Sequence, residues 1–257
     1  AQKILYKEFD DKRIAIVNFC ENEFSIATDT SAGAAPIDTV DNYNQITEAR
    51  KNADYVIVII HGGHEHYQLP SPRMKKSYRH YVDLGADAVV NHHQHCYSGY
   101  EIYKERPIVY GLGNFCFDWK GKVNSLWNEG YMVLLEFDKT IQIELIPYKQ
   151  CNTEPKVKLL TTEESSKFNI NIGKLNCYIL DNIELHNKFD VWRNTRERAI
   201  ECIFFPYANR YLNAAAVRSY IPIRPHSKQG IATILNFINC EAHRDTSIQI
   251  LMNKLNK

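Results

Sequence analysis

The stretch VIVIIHGGHEHYQLP, residues 56–70, decides the reading of this chain. Five apolar residues, Val56 to Ile60, end abruptly in His61-Gly62-Gly63-His64-Glu65-His66. A β-branched run unbroken by polar residues predicts a strand, Tyr55–Ile60, covered on both faces. In α/β sheets, ligands and catalytic groups gather at the carboxyl ends of such strands. The two glycines allow the backbone to turn sharply and to come close to an ion or a phosphate. A second cluster repeats the pattern: Val89-Val90 runs into Asn91-His92-His93-Gln94-His95. Seven of the ten histidines lie between 61 and 95, six of them in these two clusters. A lone loop histidine is usually a solvated residue, but six at two strand ends favour a metal or phosphate site. Imidazole nitrogens suit zinc, iron, manganese and nickel alike, so residue type does not select the metal.

Around these clusters, short strands alternate with helices. Strands are predicted at Arg13–Phe19, Ala88–Val90 and Ile108–Leu112. Helices are predicted at Ile37–Asn52, with Asp38 or Thr39 as cap, and at Pro72–Leu84, stopped by Gly85. Tyr131–Phe137 and Ile141–Pro147 flank Asp138-Lys139-Thr140 and predict a hairpin. This alternation indicates an α/β layer architecture over residues 1–154. After a short strand at Val157–Leu160 the texture turns helical, with patterns at Gly173–Phe189, Thr195–Leu212, Lys228–Cys240 and Thr246–Leu255. Residues 155–257 therefore read as a helical appendage.

Composition narrows the function classes. A formal net charge of +1, with Lys and Arg scattered, offers no electrostatic footprint for nucleic acid. No apolar stretch reaches the roughly 20 residues that span a bilayer. Seven widely spread cysteines, with no CxxC, argue against a disulfide scaffold or a thiolate zinc site. They fit a reducing, cytoplasmic compartment, although a preceding segment could carry an anchor. His80, within a predicted helix, reads as a packing residue, and His186, His226 and His243 read as structural.

Three ordered motifs resemble one family. The strand leading into HGG-x-E (61–65), then LGADAVVNHHQH (84–95), then PIVYGLGNF (107–115) are similar to the C-terminal half of the CapA, or poly-γ-glutamate capsule synthesis, family. That family is a branch of the calcineurin-like metallophosphatases. The resemblance covers roughly residues 1–150 and implies a layered α-β-β-α fold, here partial. It places His61, His93 and His95 on metal ligands, Glu65 on the family's glutamate and Asn114 on the asparagine of its "GNF". It implies a metal-dependent hydrolase, with Mn, Zn or Fe as one or two divalent ions, acting on a phosphoester or a γ-glutamyl amide-like substrate. Glu65 or His64 would move protons and Asn114 would support the site.

This chain departs from the pattern at several positions. Asn91 stands for a glycine, Gln94 for a proline and Gly62 for the tryptophan of HWG. The family's N-terminal motifs, with their bridging carboxylate, have no counterpart upstream of residue 53. Cys20-Glu21-Asn22-Glu23 follows a strand but falls at the wrong place in the order. Three histidines hold at most one ion with an open position; a two-ion clamp needs ions roughly 3.5–4 Å apart and further ligands. A missing N-terminal fragment or a partner chain is the expected source of those ligands. The rival expectation is a degenerate, non-catalytic binding module.

Overall fold

The computed structural model describes residues 3–22, 26–28, 30–138, 140–240, 243, 247–248 and 250–251. The first unit is built on a six-stranded sheet in the order β1-β2-β3-β4-β6-β5. Its strands are β1 (Leu5–Phe9), β2 (Lys12–Cys20), β3 (Tyr55–His61), β4 (Ala88–His92), β5 (Tyr100–Tyr103) and β6 (Arg106–Val109). The central four run parallel, while β1 and β5 pair antiparallel at the two edges. The α/β class is the one the sequence pattern predicts, and β1 and β5 are additional strands.

Local chemistry sets the two helices of this sheet. α1 (Thr39–Asn52) starts where the Asp38 carboxylate accepts from the Val40 and Asp41 amides, each at 2.9 Å. α2 (Pro72–Asp83) starts with Ser71 accepting from Met74 N, followed by Pro72 in the first turn. It stops at Gly85, whose φ of +117° is a left-handed cap. Both helices cover the face carrying Ala15, Val17, Val56, Val58 and Ile60, all fully buried. Phe19 of that face meets Tyr81 of α2 at 5.8 Å. Asp87 ties the layers together, pairing with Arg50 of α1 and Arg106 of β6 while accepting from Val56 N of β3.

The opposite face corrects one expectation. Ile57 and Ile59 of β3 are only half-buried, so β3 is fully covered on one face and not on both. The second layer packs on the other side of the sheet, toward β6 and β5. It consists of β7 (Glu129–Phe137), β8 (Ile141–Gln150), β9 (Val157–Leu159) and α3 (Thr162–Leu180). Tyr97, Val109, Tyr131, Phe168 and Ile172 form its buried cluster, with Val90 of β4 against it. The β7–β8 pair is the expected hairpin; Lys139 at its tip lies outside the described residues.

The chain divides into two compact units, Ala1–Phe189 and Asp190–Lys257. A boundary at residue 154 would separate α3 from Tyr97 and Tyr131, against which its Phe168 packs. The helix expected at Gly173–Phe189 is two helices, α3 and α4 (Asn182–Asn194). Asp181 divides them because its carboxylate accepts from the Ile183 and Glu184 amides and caps α4. The pattern at Thr195–Leu212 likewise becomes α5 (Glu197–Phe204) and α6 (Arg210–Val217), with Pro206 between them. α7 (Lys228–Asn239) matches its expected range, and the helix expected at Thr246–Leu255 falls largely outside the described residues. Within the second unit, Arg198 joins α5 to α6 by donating to the carbonyls of Ala216 and Ile221.

Candidate metal centre

β3 and β4 deliver the histidine clusters to one place. Their register sets Cys20, His61 and His92 side by side at the carboxyl end of the sheet. His61 and His92 share the half-covered face, with their Nδ1 atoms 3.2 Å apart. One of these nitrogens donates and the other accepts. Burial, and then the neighbouring His61 and His93, pull the His92 pKa below its usual value. The His93 ring lies 4.6 Å from that of His61 and 5.9 Å from that of His95.

His61, His92, His93, His95, Asn114 and Cys116 line one cavity of about 450 Å³. The two loops carrying the histidines are conformationally unusual: His66 after β3, and His93 and His95 after β4, all have positive φ, at 61°, 131° and 56°. Each such residue costs on the order of 1–3 kcal/mol and persists only where surrounding contacts hold it. Two of them are histidines that the family resemblance marks as ligands.

Asn114 is the holder of His95. Its Nδ2 donates to the Trp127 carbonyl at 3.1 Å, which fixes the amide so that Oδ1 faces His95 Nδ1 at 2.8 Å. An amide oxygen only accepts, so His95 Nδ1 donates in this bond and Nε2 is the nitrogen left to act as a ligand in the neutral ring. Trp127 stacks on the same ring at 4.9 Å and 23°. Glu65 is exposed, with its carboxylate 4.0 Å from His95 Nε2. His64 stands further off: its ring packs on Phe189 at 5.3 Å and does not line the cavity. Burial lowers the His64 pKa, against the opposing pull of Glu21.

Glu21 is a residue sequence reasoning set aside. Its amide donates to His61 O, and its carboxylate accepts from Gly63 N at 2.9 Å and from Arg73 at 2.8 Å. This explains the glycine at 62, because a Cβ there would meet Glu21 Cγ at 2.8 Å. Glu23 lies outside the described residues.

Asn91 explains the second departure. Fully buried, it donates to the carbonyls of Gly62 and Tyr110, each at 2.8 Å, and accepts from the Tyr78 hydroxyl at 2.8 Å. One amide thus joins both histidine loops to β6 and α2. His80 is exposed, not packed; Met74, Lys75, Tyr78, Tyr81 and Val82 form the buried face of α2.

The donor chemistry suits a divalent ion: imidazoles gathered at a cavity wall, one oriented by an amide behind it. Among the described residues, however, no group of three or more His, Cys, Asp or Glu is arranged to hold a metal ion.

Residues 1–119 match the family model of the bacterial capsule synthesis protein PGA_cap. The capsule biosynthesis protein CapA of Bacillus anthracis is 35% identical over 123 residues, covering 46% of this chain and 30% of that protein. The PGA biosynthesis protein CapA of Bacillus subtilis (strain 168) is 35% identical over 119 residues, covering 46% of this chain and 31% of that protein. The match thus spans less than a third of the length of either relative. A hypothetical protein from Thermus thermophilus aligns with 13% identity and a TM-score of 0.38, over 57% of this chain and 61% of that one. That likeness is too distant to carry an argument.

Proposed function

We propose that this chain, whose residues 1–119 match the PGA_cap family model and which is similar over part of its length to CapA of two Bacillus species, is part of a metal-dependent hydrolase acting on a phosphoester or a γ-glutamyl amide-like substrate. His61, His93 and His95 would hold a divalent ion, Mn, Zn or Fe. The remaining ligands of a second ion would come from a segment or chain outside these residues. Such an ion supplies Lewis-acid activation of water and of a substrate oxygen.

The chain's own residues have separable tasks in this reading. Asn114 fixes the His95 ring and its tautomer. Asn91 holds the two histidine loops in register. Glu65, exposed beside His95, takes or returns a proton, with His64 as the second candidate. The observation that carries the reading is the gathering of four histidines around one cavity, with the amide of Asn114 behind His95. The half-buried apolar face around Ile57 and Ile59 supports a further layer there. Unbridged cysteines support a reducing, cytoplasmic location, and no described helix is long and apolar enough to cross a membrane.

A second reading, a binding module that has lost catalysis, is favoured by one observation: the described ligands do not converge on a common ion position. Hydrolysis of p-nitrophenyl phosphate with added manganese or zinc separates the two. The hydrolase reading expects activity that His93→Ala removes, together with bound metal. Equal turnover by both proteins, or no turnover and no bound metal in either, would overturn it for this chain.

A further inference from the structure

We infer that Cys116 and Cys151 form a redox-sensitive thiol pair, a modification site at the wall of the histidine cavity. Their sulfurs lie 3.9 Å apart although the residues are 35 positions apart in sequence. Cys116 is exposed and lines the cavity, whereas Cys151 is buried at the end of β8. A disulfide requires sulfurs about 2.05 Å apart. Closing that difference falls to the exposed Cys116, since Cys151 is buried.

Two fully buried amides hold the pair in place. Gln150 accepts from Phe117 N at 2.8 Å and donates to Trp127 O at 2.8 Å. Asn128 donates to the carbonyls of Gln150 and Cys151 at 3.3 and 3.1 Å. The Cys151 amide donates to Lys156 O at 2.9 Å, and its φ of 42° is a left-handed conformation that these contacts maintain. The loop after Asn114 is therefore stapled to β8 on both sides of the thiols. Two other cysteines differ in setting: Cys96 is buried, its thiol pushed up to about 12 by burial, and Cys177 is an exposed thiol on α3.

The exchange proceeds with a low-molecular-weight disulfide as oxidant. The Cys116 thiolate attacks one sulfur of that disulfide, breaking its S–S bond and releasing one thiolate, which takes up the Cys116 proton. Cys151 then loses its proton and attacks the Cys116 sulfur. The intramolecular S–S bond forms and the second small thiol leaves with that proton. The oxidant's S–S bond is reduced by two electrons, which the two protein thiols supply. Cys116 is exposed to the oxidant whereas Cys151 is buried, so Cys116 is the attacking thiol and Cys151 the resolving one; burial also raises the Cys151 thiol pKa.

The bridge has a consequence at the cavity. It closes a ring containing Phe117, Trp119 and Trp127, and Phe117 and Trp127 lie 5.5 and 4.9 Å from the His95 ring. Oxidation thus locks the aromatic wall beside that histidine.

The test titrates the folded chain with mixtures of reduced and oxidised glutathione, quenches with acid, alkylates, and maps peptides without reduction. The expected result is a linked peptide pair containing Cys116 and Cys151, two hydrogens lighter than the free peptides. Cys177 in the same sample should carry only a glutathione adduct. Cys151→Ser should convert Cys116 to that adduct. Cys116→Ser, an exposed change that keeps the fold, should leave Cys151 unmodified. Tryptophan emission should shift on oxidation of the unsubstituted chain and not of Cys116→Ser. A glutathione adduct on Cys116 with Cys151 still alkylatable in the unsubstituted chain, or Cys116 linked to another cysteine, would overturn the inference.

Discussion

Replacing Asn91 by alanine tests whether one buried amide holds the two histidine loops together. Its side chain has no exposed surface and, besides a longer contact to Gln94 Oε1 at 3.2 Å, satisfies three groups at 2.8 Å: the carbonyls of Gly62 and Tyr110 and the hydroxyl of Tyr78. Truncation leaves all three without their partner in the interior, at about 1–2 kcal/mol each. The expected loss is about 3–6 kcal/mol, a fall in Tm of roughly 6–24 °C for a unit of this size. Tyr78→Phe in the unsubstituted chain orphans only the Asn91 oxygen and should cost about 1–2 kcal/mol. In the Asn91→Ala background the same change removes a hydroxyl that has already lost its acceptor, so it should be neutral or stabilising. Urea unfolding of the four proteins measures the cycle. A loss below about 1 kcal/mol for Asn91→Ala, or an equal cost of Tyr78→Phe in both backgrounds, would refute the reasoning.

Gly113→Ala should destabilise strongly. Its φ is +80°, and a Cβ there would meet the Glu129 carbonyl oxygen at 2.5 Å and Gly130 Cα at 2.9 Å, both backbone atoms; a melt within 2 °C or so of the parent would count against this packing. Asn114→Ala frees the His95 ring and should weaken divalent-metal binding about 10–100-fold, as loss of an orienting partner does; calorimetric titration with Zn or Mn reads this, and unchanged affinity would remove Asn114 from the site. Stability should also fall in mild acid. His64 and His92 have folded pKa values below the usual 6.5, each chiefly through burial. The unfolded chain therefore binds protons first as pH drops through 6.5, and the folded state loses stability until its own lower pKa is reached. His92→Asn should flatten this slope between pH 7 and 5 or thereabouts, and a slope of the opposite sign would contradict the assignment.

Much of the site can be read from the chain because its donors follow strands whose composition announces them. His61 ends a β-branched run and His92 ends another, so periodicity alone brings them to sheet ends. GLGN at 111–114 reads as a squeezed backbone, and the structure identifies what squeezes it: Gln94 against Gly111 and the Gly130 backbone against Gly113. Glu21 is legible only as an acidic residue after a strand. Its place beside His61 depends on β2 pairing with β3 in parallel across the whole of α1, and no local pattern encodes that register. Edge strands β1 and β5 are short, and β1 is largely exposed, so neither shows the apolar alternation that marks a strand. Asp181 reads as one more polar position in a helical pattern; only its bonds to the Ile183 and Glu184 amides show that it ends one helix and starts the next. The same distinction applies to the histidines. Residue type indicates imidazole chemistry, but which nitrogen of His95 stays available follows from Asn114, 19 positions away, and from the Trp127 carbonyl that fixes that amide. The choice of donor atom at this centre is therefore made by the loop after β6, not by the histidine cluster itself.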